Sequence, residues 1–132
     1  MWYKVGLLCI LFSFVALSMG SALSESLTYD EVFYLEEGRR IVTARTFSDP
    51  YNPPLAPLLA ATASALGWAT PTAARLITIG LGMLLILVAY QGGVKALGRV
   101  GGLSAATILA FDPTILAHSH YITNDSTLTL FV

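Results

Sequence analysis

The sequence predicts an all-α, polytopic helical membrane protein: three transmembrane helices and the start of a fourth, with short amphipathic outer-face helices between the first and second. Three observations carry that expectation. Hydrophobic residues make up 55% of the 132 residues, charged residues 11%, and the mean hydropathy is +0.71, whereas a soluble domain carries about 25% charged residues. The apolar residues fall in blocks long enough to cross hydrocarbon. The acids gather between the first and second blocks, while Lys4, Lys95 and Arg99 have no acid near them in sequence.

The first block, residues 5–23, stands behind Lys4 and has the length of one bilayer crossing. A signal peptide is the other reading, since the positive start, apolar middle and small Gly20 and Ala22 suit cleavage. Both readings put residues 24–70 on the outer face. Cys9 lies inside this block and reads as a small hydrophobe that gives no redox compartment.

Residues 24–70 hold Glu25, Asp30, Glu31, Glu36, Glu37 and Asp49 against Arg39, Arg40 and Arg45. Thr28 and Glu31 have capping-box spacing, so a helix begins at Thr28 with Asp30 in its first turn. It ends near Arg45, before the turn-rich stretch from Phe47 to Pro54. A second short helix is capped by Asn52, opened by Pro53 and carries Leu55, Leu58, Leu59 and Leu66 before Gly67. Its apolar face suits the membrane surface.

Thr70-Pro71 opens the second crossing, residues 71–92, bracketed by Trp68 and Tyr90 as an aromatic belt. Arg75, near its end, is expected to reach the headgroups. The glycine-rich connection with Lys95 and Arg99 is then cytoplasmic, as is Lys4, so the amino terminus lies inside. A third crossing occupies residues 100–117, kinked or ended at Asp112-Pro113 near the outer surface. Asp112 reads as the turn before that proline. Residues 126–132 begin a fourth crossing, so the chain is expected to be the amino-terminal part of a longer protein and inactive by itself.

Three clusters fall on the outer face: Asp30-Glu31, Asn52-Pro53-Pro54-Leu55, and the stretch from His118 through His120 to Asp125. Each has a plain structural account. Acids are favoured in any first helical turn, and Asn-Pro is an ordinary helix start. The spacing of His118, His120 and Asp125 matches no specific metal motif; no metal ligand is assigned, although a divalent metal is possible. Asp125, at the mouth of a crossing, is expected to face protein or a water-filled cavity.

Taken in order, the three clusters resemble the protein O-mannosyltransferase family and its bacterial aminoarabinose-transferase relatives, GT-C class membrane glycosyltransferases. In that family an Asp-Glu pair follows the first crossing and a Pro-Pro-Leu motif opens a surface helix, as Asp30-Glu31 and Pro53-Pro54-Leu55 do here. The stretch from Pro113 through His118 to Asp125 is similar to the family's segment before the fourth crossing. One departure is His120, where some members carry arginine.

The resemblance implies inverting transfer of a sugar from a polyprenyl-phosphate donor to a protein or glycolipid acceptor on the periplasmic or lumenal face. Asp30 would be the general base, with Glu31 beside it, and Asn52, Pro53, Pro54, His118, His120 and Asp125 would bind substrate. A carboxylate is the group that can take the proton from an attacking hydroxyl or amine while phosphate leaves. The bacterial inner membrane is the expected location, with the endoplasmic reticulum as the other. The rival reading is a non-enzymatic polytopic membrane protein, a transporter subunit or assembly factor. A secreted protein conflicts with the apolar run from Leu81 to Val88, and the absence of a basic stripe gives nucleic acid no footprint.

Overall fold

The computed structural model describes residues 2–48, 54–67 and 70–123 and forms five helices with no strand among them. Asn52, Pro53, Trp68, Asp125 and the segment 126–132 lie outside the described residues. The helices are α1 (Trp2–Ser24), α2 (Tyr29–Ala44), α3 (Leu55–Ala65), α4 (Pro71–Ala110) and α5 (Pro113–Ser119). Among the described residues, α1 and α4 are the helices long and apolar enough to cross a membrane.

α1 and α4 pack lengthwise. Their shared core holds Phe14, Ala22, Ile79, Ile86, Ala106 and Ala110, with Met83, Tyr90, Ile115 and Leu116 against it. α1 exposes Leu8, Phe12 and Leu17 on its other side. Apolar side chains turned outward as well as inward are what a helix bounded partly by lipid shows.

α4 does not stop at residue 92. The helical backbone continues through the expected connection to Leu97 and breaks at Gly98, whose φ is 73° and ψ is −170°. That conformation is open to glycine and strained for other residues. The chain doubles back there. A Cβ on Gly93 would lie 2.7 Å from the Gly101 carbonyl oxygen, and one on Gly102 would lie 2.8 Å from that of Tyr90. Backbones this close need hydrogen in place of side chains, so the glycines of the expected short connection form a tight antiparallel hairpin.

The expected third segment, residues 100–117, divides where Pro113 removes an amide. α4 ends at Ala110, and Asp112 caps α5 by accepting from the amides of Thr114 and Ile115 at 2.8 and 3.0 Å. Asp112 is thus more than a turn residue, since its side chain satisfies two amides that no carbonyl reaches.

α2 and α3 form a second, smaller unit in which Tyr34, Ala56, Ala63, Ala74 and Ile122 share a core. The Thr28–Glu31 capping box is present in both directions. Arg45 ends α2 in a left-handed conformation. α3 starts at Leu55 with Pro54 at its cap position and no side-chain cap, so its described start is later than the Asn52-capped one expected. Gly67, with φ 77°, follows its end.

Candidate active site

The two units meet at one end of the α1–α4 pair, around Arg75. The sequence suggests a side chain reaching outward to headgroups; the structure turns it inward, 3% exposed, against Glu31, which is fully buried. Its Nε donates to Glu31 Oε1 at 2.8 Å and Nη2 to Oε2 at 2.7 Å, a two-pronged ion pair. The remaining guanidinium hydrogens go to backbone carbonyls: Nη1 to Ala22 and Glu25 at 2.8 and 3.0 Å, Nη2 to Ser26 at 3.1 Å. All its donors are therefore used. Ala22 belongs to the last turn of α1, whose carbonyls have no partner within the helix, so Arg75 also caps α1. A cation near a helix carboxyl end is favoured by the dipole as well.

Glu31 is equally engaged. Oε1 also accepts from the Ile122 amide at 3.2 Å, and Oε2 from the Thr28 amide and hydroxyl at 3.1 and 3.4 Å. Burial pushes its carboxyl up, but Arg75 and the Thr28 and Ile122 amides outweigh burial and hold it below the ordinary glutamate value. One carboxylate thus ties the starts of α2 and α4 to the chain after α5.

A second polar group lies beside the first. Glu25 Oε2 accepts from the Tyr121 hydroxyl and faces His120 Nε2 at 3.1 Å. His120 Nδ1 faces the Leu116 carbonyl at 2.8 Å. Both neighbours of the ring are acceptors, and a doubly protonated imidazolium is the form that donates to both. The Tyr121 and His120 bonds hold the Glu25 carboxyl below its usual value, and the Glu25 bond pushes the Tyr121 phenol up. Arg75 also lies 5.3 Å from the Tyr121 ring centroid, within cation–π range. A cleft of about 350 Å³ opens here, lined in part by Ser18, Ser21, Glu25 and His120. The Ser18 hydroxyl in its wall is buried and has no hydrogen-bond partner among the described residues.

Asp30 differs from its neighbour. It is exposed in the first turn of α2 and makes no hydrogen bond or ion pair to a described residue. The structure therefore separates the acidic pair into a free carboxylate and a locked one.

The other candidate residues distribute unevenly. His120 is gathered with Glu25 and linked through Ile122 to Glu31, while His118 is half-buried on α5. Pro54 lies instead by the far end of α2, in a cleft with Ile41, Arg45, Phe47 and Leu58. Along α2 that is about 22 Å from Asp30 at 1.5 Å per residue. Among the described residues no three of His, Cys, Asp and Glu gather as a metal site. Sequence reasoning passed over Glu25, Arg75 and Tyr121. Arg75 carried a signal, because an ionised group inside an apolar run generally has a partner within the protein.

Long apolar helices joined at one end by a buried ion-paired cluster, with an exposed carboxylate beside it, define a helical protein whose apolar faces suit a membrane. Residues 51–132 match the family described as dolichyl-phosphate-mannose-protein mannosyltransferase, and the chain belongs to that family. It is accordingly a membrane protein of glycosyltransferase type. The matched range contains Pro53-Pro54-Leu55 and the His118–Asp125 stretch and begins after Asp30-Glu31. No curated protein and no solved structure matches the chain.

Proposed function

We propose that this chain contributes the acceptor-activating end of an enzyme that moves a sugar from a polyprenyl-phosphate donor to a protein or glycolipid acceptor, with Asp30 as general base. The family's description names mannose on dolichyl phosphate as donor and protein as acceptor. The observation that carries the reading is the contrast within the acidic pair: Glu31 is buried and saturated, whereas Asp30 beside it is exposed and makes no hydrogen bond or ion pair to a described residue. A base must reach the proton it takes. Glu31 acts by fixing α2, and hence Asp30, to the ends of α1 and α4.

In the reaction the acceptor hydroxyl attacks the anomeric carbon as Asp30 takes its proton. The bond from that carbon to the phosphate oxygen breaks, and polyprenyl phosphate departs with the electron pair. Attack opposite the leaving group inverts the anomeric centre. His120, held by Glu25 beside the cleft, is proposed as one of the substrate contacts. Asn52, Pro53, Pro54, His118 and Asp125 complete the proposed substrate contacts.

The proposed topology has α1, the α4 limb before Gly98, and the limb after it continued by α5 as three crossings, with residues 126–132 starting a fourth. The amino terminus is inside and Asp30 outside, in a bacterial inner membrane. The deciding experiment is transfer by the full-length enzyme carrying Asp30→Asn. A loss of at least about 100-fold in kcat is expected for a missing general base. Undiminished transfer removes Asp30 from the mechanism.

A further inference from the structure

At the opposite end of the α1–α4 pair, the Gly98 turn brings together features that the transfer reaction does not use. Arg99 lies 4.3 Å above the Tyr3 ring and pins the start of α1 to the hairpin. Lys4 and Lys95 are exposed at the same end. All eight acids of the sequence fall between residues 25 and 49 or at 112 and 125, so none lies near this turn in sequence. Below the bases runs a groove of about 460 Å³ lined by Trp2, Val100, Leu103, Ser104, Thr107 and Ile108. Trp2, Val100 and Ile108 are each more than 60% exposed. From Val100 to Ile108 the groove follows about 12 Å of helix at 1.5 Å per residue, the depth of the outer part of an acyl chain.

We propose that this end is a binding site for an anionic phospholipid, its phosphate among Lys4, Lys95 and Arg99 and one acyl chain along the groove. Charge complementarity selects that occupant. Three cations without an acid attract a net negative headgroup and gain little from a zwitterionic one, and each base near an anionic surface adds about a fivefold preference. A groove with aromatic and aliphatic walls below a cationic rim matches an acyl chain below a phosphate. Tyr3 keeps Arg99 above the apolar layer instead of folded into it. The site rests on these helices spanning a membrane and is independent of Asp30.

The test uses full-length protein in neutral detergent micelles, titrated with brominated phosphatidylglycerol or brominated phosphatidylcholine, whose bromines quench nearby tryptophan. The Trp2 contribution is the difference between the protein and its Trp2→Phe variant. Half-quenching is expected at an about tenfold lower mole fraction of the glycerol lipid. Lys95→Gln with Arg99→Gln is expected to cut the preference at least about fivefold, and the charge-conserving Lys95→Arg to keep it. Equal quenching by the two lipids, a preference undiminished in the double glutamine variant, or no Trp2 quenching by either lipid each overturns the proposal. Asp30→Asn is expected to leave the lipid preference unchanged, so a failure here is distinct from a failure of the catalytic reading.

Discussion

Adjacent acids in one helical turn have opposite fates, because the turn directs Asp30 outward and Glu31 toward Arg75. Removing one member of a buried pair leaves the other charge stranded, which costs about 3–5 kcal/mol. Glu31→Gln and Arg75→Gln are each expected to lower the unfolding free energy of the full-length protein on that scale, read by denaturant titration in detergent. Asp30→Asn is expected to leave it unchanged. The pair also gives a pH dependence. Because the folded Glu31 carboxyl is held low, its stabilisation is complete above the ordinary glutamate value, about 4.3, and disappears as pH falls through the lowered folded value. The stability of Glu31→Gln should be lower at neutral pH and flatter across that acid range; parallel curves would show that Glu31 carries no such linkage. The capping-box role of Glu31 was legible at this scale. Its ion pair was not, because Arg75 lies 44 residues away and spacing alone reports only local partners.

Among the elements, those opened by local chemistry were the most legible. Thr28, Thr70 and the Asp112-Pro113 pair each mark a helix start, since a side-chain oxygen or a missing amide acts within one turn. The form of the hairpin was less legible because glycine reads as a breaker in sequence, whereas here Gly93, Gly101 and Gly102 permit close packing and Gly98 makes the turn. The same demand appears between α2 and α3. A Cβ on Gly38 would sit 2.7 Å from both the Ala60 Cβ and the Ala61 amide nitrogen. Gly38→Leu is therefore expected to push α3 off α2 and destabilise the protein by about 1–3 kcal/mol or more. Protease nicking between residues 45 and 55 would report the separation, and an unchanged nicking rate would contradict it.

On the scale of the whole molecule, charge is divided between two ends, with the acids and the buried pair at one and Lys4, Lys95 and Arg99 at the other. Apolar blocks and positive-inside logic anticipated that division, because both depend on composition along the chain. Which polar groups meet at the acidic end depends on how the helices pack, and no local pattern encodes it. The proposed topology predicts sided labelling. In a Cys9→Ser background, Tyr29→Cys and Leu97→Cys place thiols at positions 89% and 79% exposed. A membrane-impermeant maleimide added to intact cells should modify the first and reach the second only after permeabilisation. Labelling of both from one side would refute the arrangement.

Arg75 also imposes an order of events during synthesis. The carbonyl of Glu25 waits 50 residues for its guanidinium, a few seconds at about 5–20 residues per second. Until then Glu31 has only Thr28 from the chain already made, and the carbonyls of Ala22, Glu25 and Ser26 lack the cation that later binds them, so water has to complete their hydrogen bonds. Arrival of α4 exchanges that water for a single cation. Completion of this cluster is thereby timed to the arrival of α4, and a nascent chain stalled before residue 75 should expose Glu31 to solvent that the finished protein excludes.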